Sequence, residues 1–157
     1  MKIAKLYISK VAQSLIEAND MADQAFKEVR SSILDNVTAG FDHFILNCTH
    51  KNCNGVVPVK ERCYEILEEE FGWYREKPLT YFHKDAQKGG PIDVYKEFRE
   101  KHRIFRAGLE FETGNISSAH RSMNKLCVGI KKGELDLAML MMPIKKMSFY
   151  LTDRVSN

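Results

Sequence analysis

With 157 residues, 44% of them hydrophobic and 29% charged, the chain has the balance of a folded globular protein and lacks the polar bias that keeps a chain disordered. One sizeable core is expected, since a domain of this length buries about 70% of its unfolded surface. Twenty-four basic against 21 acidic residues give a net charge of +3, which permits a polyanionic partner without demanding one. No apolar run reaches the roughly 18 residues of a membrane span, and the N-terminus lacks the pattern of a signal peptide, so a cytoplasmic protein with no membrane partner is expected. The four cysteines (Cys48, Cys53, Cys63 and Cys127) then read as reduced thiols. The spacing of Cys48, His50 and Cys53 matches no paired-cysteine zinc pattern.

In chain order, apolar residues recur every three or four positions from Val11 through Leu15, Ile16, Met21, Ala25, Val29 and Ile33 to Leu34, which predicts an amphipathic helix broken near Asn19 and Asp20. "GFDHFILN" reads as a strand or a buried turn. "VPVKERCYEILEEEFG" opens with a proline suited to a first helical turn, places Val59, Cys63, Ile66, Leu67 and Phe71 on one face, and stops at Gly72. From Lys77 to Gly90 the chain is polar and reads as a surface loop. "PIDVYKEF" and "RIFRAGLEF", joined by "REKHR", predict an antiparallel pair of strands.

"SSAHRSMNKLCVGIKK" predicts a helix capped by Ser117 or Ser118, with Ala119, Met123, Leu126 and Ile130 on one face. "LDLAMLMMP" is almost wholly apolar, as a central strand covered on both faces would be, and "IKKMSFYL" reads as a short helix. With no repeat, low-complexity tract or interior linker, the order of elements predicts a single α/β domain over residues 1–157, a central mixed sheet flanked by helices.

Within that frame the acids stand out. On a strand, Glu110 and Glu112 share one face while Leu109 and Phe111 take the other. Alone, that alternation describes a solvated strand face. Asp93, on the neighbouring strand, changes the balance, because two carboxylates about 4 Å apart repel by roughly 4 kcal/mol at an effective dielectric near 20. Something positive must sit among them. Hard oxygen ligands of this kind select magnesium or a similar divalent ion, which keeps several waters and also grips phosphate.

The acid after the Pro-Ile pair and the Glu-x-Glu on the next strand resemble the PD-(D/E)XK nuclease motif, with Glu112 where most members have lysine. Together with "NCNGVVP", "WYREKPL", "GGPIDVYKEF", "EFETGNISSAHRSMNKL" and "YLTDRV", they make the chain similar to the BamHI family of type II restriction endonucleases, from the first helix to the last residue and most strongly from Asn52 onward. The resemblance implies a restriction-endonuclease-like fold. It implies magnesium-dependent hydrolysis of both strands of a palindromic double-stranded DNA site, GGATCC, by a homodimer that needs no nucleotide cofactor. Manganese would substitute for magnesium, and calcium would support binding without cleavage.

Carried over residue by residue, the resemblance implies that Asp93, Glu110, Glu76 and the Phe111 carbonyl hold metal while Glu112 activates the attacking water. It also implies that Asn115, Ser117, Arg121, Asp153 and Arg154 read bases in the major groove, an inventory that suits guanine and cytosine. The seam of the helix from about Ser117 to Lys132 is the expected dimer interface, although the same stripe could pack on its own sheet. One departure stands against the family pattern. The sequence stops at Asn157, short of the segment that in the family adds a helix at the interface and a minor-groove arm, which leaves dimer strength and activity open.

Two readings from other classes compete with the nuclease. A DNA-binding protein without cleavage needs silent acids. A glycosidase using Glu110 and Glu112 as its carboxylate pair gains nothing from Asn115, Ser117 and Arg121.

Overall fold

The computed structural model describes residues 6–38, 57–79, 90–112 and 116–142. Its elements run α1 (Lys10–Ala18), α2 (Asp20–Thr38), α3 (Val57–Glu69), β1 (Tyr74–Lys77), β2 (Ile92–Glu100), β3 (Arg103–Phe111), α4 (Ile116–Lys131) and β4 (Leu137–Met141). The four described strands form one mixed sheet in the order β1-β2-β3-β4, antiparallel except for the parallel β3/β4 pair. Parallel neighbours need a crossover, and α4 supplies it. The expected α/β architecture, a mixed sheet flanked by helices, is the one observed.

The break between the first two helices falls at Asn19. Its side-chain Oδ1 accepts from the backbone N–H groups of Met21 and Ala22 at 3.0 and 3.3 Å and so caps α2, while Asp20 and Asp23 place negative charge in its first turn. Gly72 lies just beyond α3 at φ +67°, a left-handed conformation that releases the chain towards β1. The hairpin between β2 and β3 is tighter than expected. Arg99, Glu100 and Arg103 belong to the strands, and Lys101 and His102 alone make the turn.

Two apolar clusters hold the layers. Val94, Phe98, Phe105, Ala107, Leu109 and Phe111 of the sheet pack with Met21, Ala25, Val29, Cys63 and Leu67 of α2 and α3. A second cluster joins Leu79, Ile92, Tyr95, Leu126 and Leu135, with α4 contributing Leu126. Leu135 reaches into a gap left by Gly129, where an added Cβ would lie 2.8 Å from its Cδ1. That gap lets the chain after α4 close down on the sheet.

The structure departs from or adds to the sequence expectations at several points. The stretch preceding the polar loop contains strand β1, which alternation did not reveal because it is four residues long and Glu76 within it adopts φ +53°. Ser117 and Ser118 lie inside the first turn of α4, so neither is its cap. On α4 the inward side is built from Ser122, Leu126 and Gly129, whereas Met123 and Ile130 are 44% and 42% exposed. Among the described strands β4 is the last of the sheet, and its side chains after Leu137 are only partly covered. The expected strand or turn over residues 40–47 and the short helix over 144–151 lie outside the described residues, as do Cys48, His50 and Cys53. Cys63 is buried and shares a hydrogen bond with Ser32 at 3.2 Å.

Candidate active site

Strand β3 separates its side chains as its sequence demands. Leu109 and Phe111 enter the α2/α3 core, while Glu110 and Glu112 bond to Lys125 and Ser122 of α4. The acid-bearing face is not solvated. Glu110 is 3% exposed and is bracketed by two donors: Oε1 accepts from the Lys125 ammonium at 2.7 Å and from the backbone N–H of Asp93 at 3.1 Å. Lys125 also donates to the Pro91 carbonyl at 2.7 Å, tying α4 to the entrance of β2. Burial pushes the Glu110 carboxyl above the ordinary range; the lysine opposes that rise, and the charge of Asp93 adds to it.

Asp93 is held by equally specific contacts. Its Oδ2 accepts from the Tyr64 hydroxyl at 2.7 Å and from the backbone N–H of Phe111 at 3.0 Å, and the Lys60 ammonium stands 3.6 Å away. Tyr64 is kept firmly protonated, first by burial and then by the negative charge of Asp93, so it serves as a fixed donor. Backbone and carboxylate are thus exchanged reciprocally between the strands: Asp93 N–H bonds Glu110, and Phe111 N–H bonds Asp93. Two carboxylates are brought to one end of the sheet, with the two ammonium groups of Lys60 and Lys125 beside them. The positive charge that the sequence required is present as lysine.

Glu112 follows β3 directly. Its backbone N–H donates to Met141 O at 2.9 Å, extending the parallel ladder, and its Oε2 accepts from Ser122 Oγ at 2.8 Å. Glu76 lies on the other side of Asp93. Arg75 faces Val94 and Lys77 faces Ile92, so Glu76 falls opposite Asp93 in the ladder, at φ +53° and exposed. The structure does not draw Glu76, Asp93 and Glu110 into a three-acid group; among the described residues no three His, Cys, Asp or Glu side chains are so gathered. A magnesium ion does not need three, because it is held by one or two carboxylates with waters and substrate phosphate completing its shell. Among the described residues Asp93 Oδ1 and Glu110 Oε2 receive no hydrogen bond, while the sister oxygen of each is fixed by its donors. That donor chemistry fits a hard divalent ion.

Of the expected base readers, Ser117 and Arg121 lie on the first turns of α4 and are exposed, with Arg121 Nη2 3.4 Å from Ser118 Oγ. They sit on the helix that also carries Ser122 and Lys125, the partners of Glu112 and Glu110. Asn115, Asp153 and Arg154 lie outside the described residues. Sequence reasoning missed Tyr64, Lys60, Lys125 and Ser122. The signal available for them was their helical spacing, Lys60 to Tyr64 and Ser122 to Lys125, which places each pair on one helix face.

The family model described as restriction endonuclease BamHI matches residues 1–157. The chain belongs to the BamHI restriction endonuclease family. It is 54% identical over 158 residues to the type II restriction enzyme BamHI of Bacillus amyloliquefaciens, an alignment covering 100% of this chain and 74% of that enzyme. To the type II restriction enzyme OkrAI of Oceanobacter kriegii it is 38% identical over 118 residues, covering 75% of this chain and 57% of that one. The expected resemblance is therefore met across the chain. Among the described residues no helix of this BamHI-family protein is long and apolar enough to cross a membrane.

Proposed function

We propose that the protein is a type II site-specific endonuclease that hydrolyses both strands of a palindromic double-stranded DNA site, GGATCC, as a homodimer and with magnesium. The observation that carries this reading is the reciprocal Asp93/Glu110 arrangement, two fixed carboxylates each with one open oxygen at one end of the sheet, in a chain 54% identical to BamHI.

Asp93 and Glu110 would hold the ion, with Glu76 and the Phe111 carbonyl as the further candidates. The bound ion would supply charge neutralisation at the scissile phosphate and a lowered pKa for its water. Tyr64 fixes the orientation of Asp93, and Lys125 that of Glu110. Glu112, held by Ser122 on the same face as Glu110, takes the proton of the attacking water through its carboxylate, a task for which an anionic base is suited and a lysine at this position is not. Manganese would replace magnesium, and calcium would support site binding without turnover.

Isothermal titration of the DNA-free protein with calcium tests the ligand assignment. Asp93→Asn keeps the shape and the Tyr64 contact but loses the anion, and binding is expected to fall below detection. Calcium affinity equal to that of the unaltered protein would overturn the assignment.

Asn115, Ser117, Arg121, Asp153 and Arg154 supply the base contacts. A palindromic site and a two-fold dimer match one another half-site by half-site. The exposed Met123 and Ile130 side of α4 is the surface we place at the dimer interface. Arg154→Ala is expected to lose on the order of 1–3 kcal/mol of discrimination at one guanine, measured as the ratio of affinities for GGATCC and a duplex substituted at that base. An unchanged ratio would remove Arg154 from the readers.

A further inference from the structure

The two lysines beside the acids are held in different ways. Lys125 is 11% exposed and makes two bonds of 2.7 Å, to Glu110 Oε1 and Pro91 O. Lys60 retains 28% exposure, and its ammonium lies 3.6 Å from Asp93 Oδ2, beyond the 2.7–3.2 Å typical of an N–H···O hydrogen bond. It is held off because that oxygen already accepts from Tyr64 and from Phe111 N–H, and one carboxylate oxygen has about two lone-pair sites. Lys60 also lies over the face of the Tyr64 ring, 5.2 Å from its centroid. Among the described residues charge keeps Lys60 at Asp93, and no directional bond does. Lys125 is a built part of the scaffold; Lys60 is a counter-ion.

We propose that Lys60 is an exchangeable counter-ion of the site, neutralising Asp93 in the metal-free protein and passing to a phosphate of bound DNA when a divalent ion takes Asp93. This inference rests on the reading of Asp93 as a metal ligand. A divalent cation arriving at Asp93 meets a like charge within a few ångströms, and near a protein surface that repulsion is large. Lys60 is the group able to yield, since leaving breaks no hydrogen bond. It sits in the first turns of α3 on a four-carbon stem, so its ammonium can move while its Cα stays in place. The substrate phosphate is the anion that the active-site reading brings to the same place. The same charge then serves twice: it holds the empty acid site together, and it grips the substrate once metal is bound.

The test uses the full chain with Lys60→Met, which keeps the stem and removes the charge, and Lys60→Arg, which keeps the charge. Two readouts are taken, neither of them cleavage: calcium affinity of the DNA-free protein by calorimetry, and the salt dependence of binding to a GGATCC duplex in calcium. Lys60→Met is expected to bind calcium more tightly, on the order of tenfold, because a competing charge is gone. Its plot of log affinity against log salt is expected to be shallower by about 1 per protomer, the loss of one phosphate contact. Lys60→Arg is expected to match the unaltered protein in both.

Calcium affinity that is unchanged or weaker in Lys60→Met overturns the exchange, and so does an unchanged salt slope. Lys60→Gln, subject to the same expectations, replaces Lys60→Met if the latter shows a lowered unfolding midpoint. If Asp93→Asn binds calcium as well as the unaltered protein does, the metal-site reading itself has failed; if Asp93→Asn loses calcium while Lys60→Met leaves both readouts unmoved, only the role of Lys60 has.

Discussion

Glu112→Gln is expected to lower the rate of DNA cleavage by about 10²–10⁴-fold, the usual contribution of a positioned general base, while site-specific binding in calcium stays intact. Glutamine preserves the length and planarity of the side chain, and its amide oxygen still accepts from Ser122 Oγ, which lies 2.8 Å from Glu112 Oε2. The backbone bond from residue 112 to Met141 O is untouched. What is removed is the ability to accept a proton at neutral pH. Single-turnover cleavage of a labelled duplex separates this effect from binding. Cleavage within a few-fold of the unaltered rate would mean that the proton goes elsewhere. Ser122→Ala adds a control, since the carboxylate survives it and loses only its tether, so a smaller loss is expected there.

The second large effect concerns stability. Glu28 of α2 is 7% exposed, yet it accepts from Trp73 Nε1 at 2.8 Å, from Lys96 Nζ at 2.8 and 3.0 Å and from Gln24 Nε2 at 2.9 Å. Lys96 completes the network with a 2.6 Å bond to the Phe71 carbonyl. The cluster binds α2, the turn between α3 and β1, and strand β2, where Lys96 lies three residues along from Asp93. Glu28→Met leaves the Lys96 ammonium, at a 16% exposed side chain, with no counter-ion among the described residues, and is expected to destabilise by about 3–5 kcal/mol, the cost of stranding one partner of a buried pair. The double replacement Glu28→Met with Lys96→Met is expected to cost much less than either single change, because two apolar groups of similar volume leave no uncompensated charge. Urea unfolding with matched m values measures all three. Equal losses for the single and double variants would show that the pair's charge is not what matters.

How much of this was legible in the sequence depends on the range of the interaction. The β2/β3 hairpin and the division of β3 into acidic and apolar faces follow from a period of two, and the structure keeps both. Helices α2, α3 and α4 follow from a period near 3.6 and from capping at Asn19. Strand β1 was hidden because four residues with a left-handed Glu76 show no alternation.

The inward face of α4 was misread for a chemical reason. Hydrophobicity points to Met123 and Ile130, but the positions turned inward are the serine that bonds Glu112 and the glycine that admits Leu135. β4 is apolar along its length yet ends the described sheet, with its side chains after Leu137 only partly covered.

The site shows the same limit. The acids could be read from the strands that carry them and from the family resemblance. Their partners could not, because Tyr64 meets Asp93 across 29 residues of sequence and Lys125 meets Pro91 across 34. Helical spacing puts Lys60 with Tyr64, and Ser122 with Lys125, on one helix face each, but it does not say which strand those faces meet. Only the packing of α3 and α4 around one end of the sheet brings them there. The expectation that positive charge must accompany the carboxylates was sound as electrostatics, but it did not foresee that lysines would supply it.

The measurement that tests the central claim most directly is incubation of a plasmid carrying one GGATCC site with this 157-residue protein in magnesium, beside calcium and beside Asp93→Asn. A single double-strand cut confined to the unaltered protein in magnesium is the predicted result. Cutting that persists in Asp93→Asn or with the metal chelated would contradict it, as would a protein that neither cuts in magnesium nor prefers the site in calcium.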